Sequence, residues 1–294
     1  MYLGVHVRVS GGYAKAVDYA KSLGCNAVQI FSGNARSYRV AKLDPPALAA
    51  FAQMRGAAGI ERCVIHTAYL INLGSEDPTI VSKSLGLLHG DLAVAAAGKI
   101  DYVNTHLGSY GTRNRTEGFT AIVAALEDAL DGIAPGVTLV MENSAGAGNL
   151  AGGTLEELGR FIKAIDHPQL GVCLDTAHTW AAGYAIDTKA SVDLFLEEVD
   201  KQIGLARVPM FHFNDTQVPL GASRDRHYHI GEGFIGFDGF RALLAYPQVR
   251  EKTVILETPG EEPDDIKNVQ TIRAIENALR GPYGAPQDDV RSAL

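Results

Sequence analysis

Eight short runs of apolar and β-branched residues recur along the chain: YLGVHV (2–7), AVQIF (27–31), CVIH (63–66), YVNTH (102–106), TLVME (138–142), LGVCLD (170–175), VPMFHF (208–213) and VILE (254–257). Each is followed by a stretch whose apolar residues return at helical spacing. Near-continuous apolar strands are those buried on both faces of a parallel sheet, and their alternation with amphipathic helices predicts βα units. Eight such units predict an α/β fold, a single closed (β/α)8 TIM barrel. Helix punctuation fits this scheme. AVDYAKSLG is expected to stop at Gly24 and the long apolar stretch from Pro78 at Gly98, while Thr154 with Glu157 three residues on predicts a capping box ahead of LEELGRFIKAI. One segment departs from the pattern: about 40 residues separate VPMFHF from VILE, too many for an ordinary loop and helix. Long loops at the strand ends of a barrel carry function.

Composition narrows the class. A length of 294 residues suits one barrel, expected over residues 1–280, with 281–294 a flexible tail poor in apolar anchors. Hydrophobic residues at 46% and charged residues at 20% describe an ordinary globular chain and exclude extended disorder. No window approaches the roughly 18 uninterrupted apolar residues of a membrane span, and the N-terminus lacks a charged leader, so a cytoplasmic protein without a membrane partner is expected. Cys25, Cys63 and Cys173 are odd in number and form no CxxC pair, which argues against a disulfide framework and a thiolate zinc site. The net charge of −8 speaks against nucleic acid, whose backbone is normally met by Lys and Arg.

The strand ends change that picture. Six runs finish on a metal-ligand residue type: His66, His106, Glu142, Asp175, His212 (one residue before Phe213) and Glu257, at intervals of 40, 36, 33, 37 and 45 residues. In a barrel all strands point one way, so these six side chains must converge at the C-terminal mouth. Unpaired there they would be costly to bury, and their like charges would repel. Cations that accept imidazole nitrogen and carboxylate oxygen remove both costs. The long loop adds Asp225 and His227 in SRDRHYH, and His178 follows Asp175 by three residues; these three plus solvent make a plausible zinc site. With no thiolate among nine candidates, zinc or manganese fits better than a soft metal. Singly each has a plainer role, since Asp175 could cap the next helix and SRDRHYH could be a solvated loop. His6 faces the same mouth and is left undecided.

These segments resemble endonuclease IV, the metal-dependent apurinic/apyrimidinic endonuclease family. The matching stretches are HTAYLINLG from His66, NTHLGS around His106, MENSAGAGNL around Glu142, GVCLDTAHTWAAGY around Asp175 and His178, MFHFNDTQ around His212, SRDRHYHIGEGFIG around Asp225 and His227, and ILETPG around Glu257. The resemblance runs from the first strand to the last. It implies three zinc ions per chain, with manganese admissible at one or more sites. His66 and His106 would hold one ion with Glu142 bridging to a second; Asp175, His212 and Glu257 would complete that second site; His178, Asp225 and His227 would hold the third. Glu142 and Glu257 are the implied catalytic residues. The implied reaction hydrolyses the phosphodiester on the 5′ side of an abasic nucleotide in double-stranded DNA, leaving a 3′-hydroxyl, and clears blocked 3′ ends. Arg36, Tyr69 and Leu70 match the side chains that such enzymes insert into the duplex, although from pattern alone Leu70 could be core and Arg36 a surface charge. A monomer is expected.

Three Zn²⁺ would move the charge from −8 to −2 and place the gain where phosphate arrives. Arg8, Arg36, Arg39, Lys42, Arg113, Arg115, Arg224 and Arg226 fall in or near expected mouth loops. The main rival is a xylose-isomerase-like sugar isomerase or epimerase holding one divalent ion on Glu142, Asp175, His212 and Glu257. Such an enzyme has no use for His66, His106, His178, Asp225 and His227. A second rival is a barrel that binds metal or senses damage without catalysis.

Overall fold

The computed structural model describes residues 1–7 and 12–280. Its strands are β1 (Tyr2–Val7), β2 (Ala27–Phe31), β3 (Arg62–His66), β4 (Tyr102–Thr105), β5 (Thr138–Glu142), β6 (Leu170–Asp175), β7 (Met210–His212) and β8 (Thr253–Leu256). Each pairs in parallel with the next, and β8 returns to β1 to close the barrel. The helices are α1 (Tyr13–Ser22), α2 (Pro45–Ala58), α3 (Pro78–Gly98), α4 (Arg115–Leu130), α5 (Leu155–Ile165), α6 (Thr176–Ala181), α7 (Lys189–Gln202), α8 (Gly236–Ala245), α9 (Pro247–Arg250) and α10 (Glu262–Arg280). The tail from 281 and Arg8 lie outside the described residues.

The barrel interior is layered by the two-residue period of its strands. Ala27, Val64, Val140, Cys173, Met210 and Ile255 pack together with Tyr2 and Tyr102 as a dry plug. Two positions further along seven consecutive strands the inward-facing residues become Gln29, His66, Asn104, Glu142, Asp175, His212 and Glu257. The floor of the mouth is therefore a polar ring resting on an apolar one. Residues of opposite parity, such as Val28, Ile65, Val103 and Leu139, face outward into the larger core under the helices.

Local differences from expectation have physical causes. The α3 helix ends at Gly98, but the left-handed cap is Lys99 (φ 51). Gly98 itself packs closely, a Cβ there standing 3.2 Å from the end of the Ile100 side chain. Thr154 does cap α5 by accepting the Glu157 N–H, whereas the Glu157 carboxylate takes the Gly152 N–H and the Tyr110 hydroxyl instead of closing the box. By length and composition α3 could cross a membrane; here it buries Leu87, Leu88, Leu92 and Val94 against the barrel. From Phe213 to Ile235 the chain has no helix or strand, only a single bridge between Asp215 and Tyr228.

Candidate metal centre

Parallel strands ending at one level set the side chains. His66, Glu142, Asp175 and His212 are the last residues of β3, β5, β6 and β7, while His106 and Glu257 stand one residue beyond β4 and β8. The strand of His212 closes on that residue and not on Phe213, which packs outward against Phe211 and Phe240. All six converge, and Glu142 lies at their centre. Its Oε2 is 3.3 Å from His66 Nε2 and 3.7 Å from His106 Nε2; its Oε1 is 3.2 Å from His212 Nδ1 and 3.4 Å from His178 Nδ1. Glu257 Oε2 comes within 3.2 Å of the same His212 nitrogen. Ligand atoms gather into three groups: His66, His106 and Glu142; Glu142, Asp175, His212 and Glu257; and Asp175, His178 and His227.

Asp175 has two duties. Its Oδ1 accepts the His178 N–H and caps α6, while Oδ2 faces His227 Nε2 at 3.4 Å. Capping thus fixes His178 on the first turn of α6, aimed back at the mouth. Asp225 and His227 arrive from the irregular segment. Asp225 is the most exposed of the nine, yet its two oxygens stand 3.3 Å from His178 Nε2 and 3.3 Å from His227 Nε2. It joins the third group from the solvent side, with Asp175 beneath.

The donor set fits cations. His66 donates Nδ1–H to the Thr67 carbonyl at 2.7 Å, His178 to Asn143 at 2.9 Å and His227 to Glu257 at 3.1 Å; His212 donates Nε2–H to Gln29 Oε1 at 2.9 Å. In each imidazole the second nitrogen then presents a lone pair to carboxylate oxygens, with the tautomer assigned from these partners. Lone pair against lone pair is repulsive unless a proton or metal ion lies between, and a ring nitrogen tied to a carbonyl is the usual orientation of a metal-ligating histidine. His227 Nε2 is buried and accepts no hydrogen bond.

Without a cation, protons must do this work. Burial opposes charge on Glu142 and Glu257, but the surrounding imidazoles outweigh it and hold both well below the usual carboxylate range. Burial likewise lowers His178, yet Asp175, Asp225 and Glu142 raise it to about 10. His212 and His66 are raised too, and Asp225 falls to about 2 beside His178 and His227 against its desolvation. Burial pushes the Cys173 thiol, under His212, up to about 12, and it belongs to none of the three ligand groups.

Several functional groups were not singled out from the sequence. Asn104 Nδ2 donates to Glu142 Oε2 at 2.6 Å and Asn214 Nδ2 to Asp175 Oδ2 at 2.6 Å. Gln29 donates to Glu257 Oε1 at 2.6 Å. Gln29 and Asn104 share the inward parity of the ligands, a signal that could have exposed them. His6, left undecided, places Nδ1 2.9 Å from Glu257 Oε1 and lines the mouth, a cavity of about 390 Å³ reaching from Phe31 and Tyr69 to Thr258.

Arg36, Tyr69 and Leu70 sit on the rim. Arg36 is exposed in the β2–α2 loop and Leu70 is half-buried. Tyr69 is 58% exposed, its ring standing edge-on to Phe31. The two loops are stitched together: Tyr69 N–H donates to the Ala35 carbonyl at 3.1 Å and the Tyr38 hydroxyl to the Leu70 carbonyl at 2.9 Å. Of the other rim cations, Arg39, Lys42, Arg224 and Arg226 are exposed, whereas Arg115 turns to Glu157 at 3.6 Å.

This barrel and its mouth define a class first, the xylose isomerase-like TIM barrel, whose family model matches residues 17–278. Within that class the chain belongs to the endonuclease IV family. It is 41% identical over 278 residues to a probable endonuclease 4 of Natranaerobius thermophilus, covering 94% of this chain and 98% of the relative, and similarly 41% identical to one of Solibacter usitatus over 94% and 97%. The structure of endonuclease IV from Thermus thermophilus superposes with a TM-score of 0.84 at 35% identity, over 94% and 98% of the two chains. A D-tagatose 3-epimerase-like protein shares the fold at a TM-score of 0.72 and 18% identity, over 94% and 97%.

Proposed function

We propose that the chain is a DNA-repair phosphodiesterase that holds three zinc ions, one in each ligand group, and hydrolyses the phosphodiester 5′ to an abasic nucleotide, leaving a 3′-hydroxyl and also clearing blocked 3′ ends. The observation that carries this reading is the position of Glu142, whose Oε2 faces His66 and His106 while its Oε1 faces His212. Its carboxylate is set to bridge, which a single-ion isomerase would not need. When bound, the ions supply Lewis acidity and a water that ionises near neutral pH. The chain's own residues do the rest. Glu142 and Glu257 hold the nucleophile's side of the mouth, and His178, Asp225 and His227 stand where a leaving oxygen would emerge. Tyr69, Leu70 and Arg36 fill the gap left in the duplex, from which a sugar without a base is displaced at lower cost than an intact nucleotide. Among the described residues no lysine lines the mouth, so hydrolysis and not β-elimination is the expected chemistry. Duplex DNA is met as a monomer, and the buried free thiols of Cys25, Cys63 and Cys173 suit a reducing cytoplasm.

The test is a duplex with one abasic site, incubated with and without chelator. A single nick with a polymerase-extendable 3′-hydroxyl, lost on chelation and restored by zinc, is expected. Unsaturated-aldehyde ends, or cleavage indifferent to chelator, would refute the reading. A metal count near one per chain would favour the sugar isomerase.

A further inference from the structure

The segment from Thr216 to Ile235 crosses the mouth without regular structure yet must place Asp225 and His227 within ångströms of His178. Its middle is tied to α6, with the Gly221 N–H on the Trp180 carbonyl at 3.1 Å and the Ser223 N–H on the Ala181 carbonyl at 2.9 Å, while one side chain draws its two ends together. Asp215 follows β7 by three residues and is fully buried. Its Oδ1 accepts the N–H groups of Thr216 at 2.8 Å and Ile235 at 3.0 Å. Its Oδ2 accepts those of Gly231 at 3.0 Å, Gly233 at 3.0 Å and Gly236 at 3.1 Å. The Asp215 carbonyl takes the Tyr228 N–H at 2.7 Å, next to His227. Five amides collected from both ends of the segment make it a closed loop around a carboxylate, the arrangement of an anion-binding nest whose anion is supplied by the chain. Gly233 is required by closeness: a Cβ there would overlap Asp215 Oδ1 and the Thr216 carbonyl. Neighbouring Asn214 donates to Asp175 Oδ2 and accepts the Glu257 N–H, so consecutive residues serve the barrel-borne ligands and the loop-borne ones.

We propose that Asp215 is a positioning residue for one metal site: by gathering the amides of Thr216, Gly231, Gly233, Ile235 and Gly236 it folds the loop that brings Asp225 and His227 to His178. This rests on the three-ion reading above. Asp215 spends its carboxylate on backbone amides and not on the ligand side chains, so its removal should empty the loop-built site and spare the sites built on strand ends. Asparagine tests this, because whichever way its amide turns, an NH₂ group faces at least two N–H donors in place of an acceptor.

The experiment compares metal-loaded wild type with Asp215→Asn by elemental analysis and by hydrogen exchange of the loop amides, with His227→Ala as a second comparator. Wild type is expected to carry three ions. Asp215→Asn is expected to carry two, with Gly231, Gly233 and Ile235 exchanging about tenfold faster or more; His227→Ala should lose the same ion while those amides stay protected. Three ions and unchanged exchange in Asp215→Asn would overturn the proposal, as would loss of all ions from an intact barrel, which would make Asp215 a support of the whole mouth. A wild-type count below three refutes the three-ion reading, while faster loop exchange in Asp215→Asn still supports Asp215 as the loop's anchor. If Asp215→Asn does not fold, Gly233→Ala displaces the loop from the opposite side, and retention of every ion there counts against the proposal.

Discussion

Gln29 touches three groups on which the centre depends: it donates to Glu257, accepts from His212 and stands 2.9 Å from His6 Nδ1. Replacing it with leucine keeps the bulk but strands the buried His212 N–H and leaves Glu257 Oε1 to His6 alone. Outer partners of this kind set the tautomer and aim of the ligands. Gln29→Leu is therefore expected to lower zinc affinity and abasic-site cleavage about 10–100-fold with an unchanged circular dichroism spectrum; wild-type metal affinity in the variant would remove Gln29 from the centre. Glu142→Gln is expected to be harsher, because one of the two oxygens proposed to bridge becomes an amide donor beside the imidazoles; near-complete loss of cleavage with a folded barrel is the expected outcome, and full activity would end the bridging proposal. The convergence of the candidate ligands was legible from sequence because six carboxylates and imidazoles at successive strand ends of one barrel must meet at its mouth. Gln29 and Asn104 were not, because a neutral amide inside an apolar strand declares no chemistry until residues 183 or 38 positions away fold against it.

At the scale of elements, regular structure was readable and contacts between loops were not. The eight strands appear at the expected places because parallel strands, covered on both faces, write nearly continuous apolar runs. The rim is different. The β2–α2 loop carrying Arg36 is tied to the barrel at its first residue, where the Ser32 hydroxyl donates to Asp91 of α3. Asp91 is buried, which pushes its carboxyl up to about 7, an energetic cost with no role inside α3 itself. The loop is then stitched to Tyr69 and Leu70 downstream, so Asp91 supports the whole platform proposed to enter the duplex. Asp91→Ala is expected to weaken binding of an abasic duplex about tenfold, the equivalent of one hydrogen bond worth roughly 1.4 kcal/mol, at unchanged metal content. Asp91→Asn, which keeps an acceptor for Ser32, should recover most of that affinity. Metal loss in Asp91→Ala would place the residue with the centre and not with the platform.

Across the whole molecule the acidic sequence and its proposed polyanionic partner are reconciled by where charge is placed. Four of the nine candidate ligands are carboxylates massed at the mouth, so much of the deficit that speaks against DNA sits where cations would neutralise it. The same massing makes stability depend on pH in opposite ways with and without ions. In chelated protein His178 is raised to about 10, so its contribution is complete below its unfolded pKa of about 6.5 and fades as pH climbs toward 10. Asp225, lowered to about 2, contributes above its unfolded value and loses that contribution only as pH falls through about 4 toward 2. Between pH 6.5 and 9, then, the histidine acts and Asp225 does not, Asp91 at about 7 adds a loss of the same sign at the lower end, and the chelated protein should lose stability as pH rises. With ions bound the sign reverses, because ligation needs the unprotonated imidazole and grows stronger as protons leave. The gap in melting temperature between loaded and chelated protein should therefore widen steadily from pH 6 to pH 9, and metal uptake near pH 7.5 should release protons into a weakly buffered solution. Calorimetric scans at several pH values measure the first and a pH electrode the second. A gap that stays constant, with no proton release, would mean that His178 and His212 are already neutral without metal and that the carboxylates around them are not held by charge.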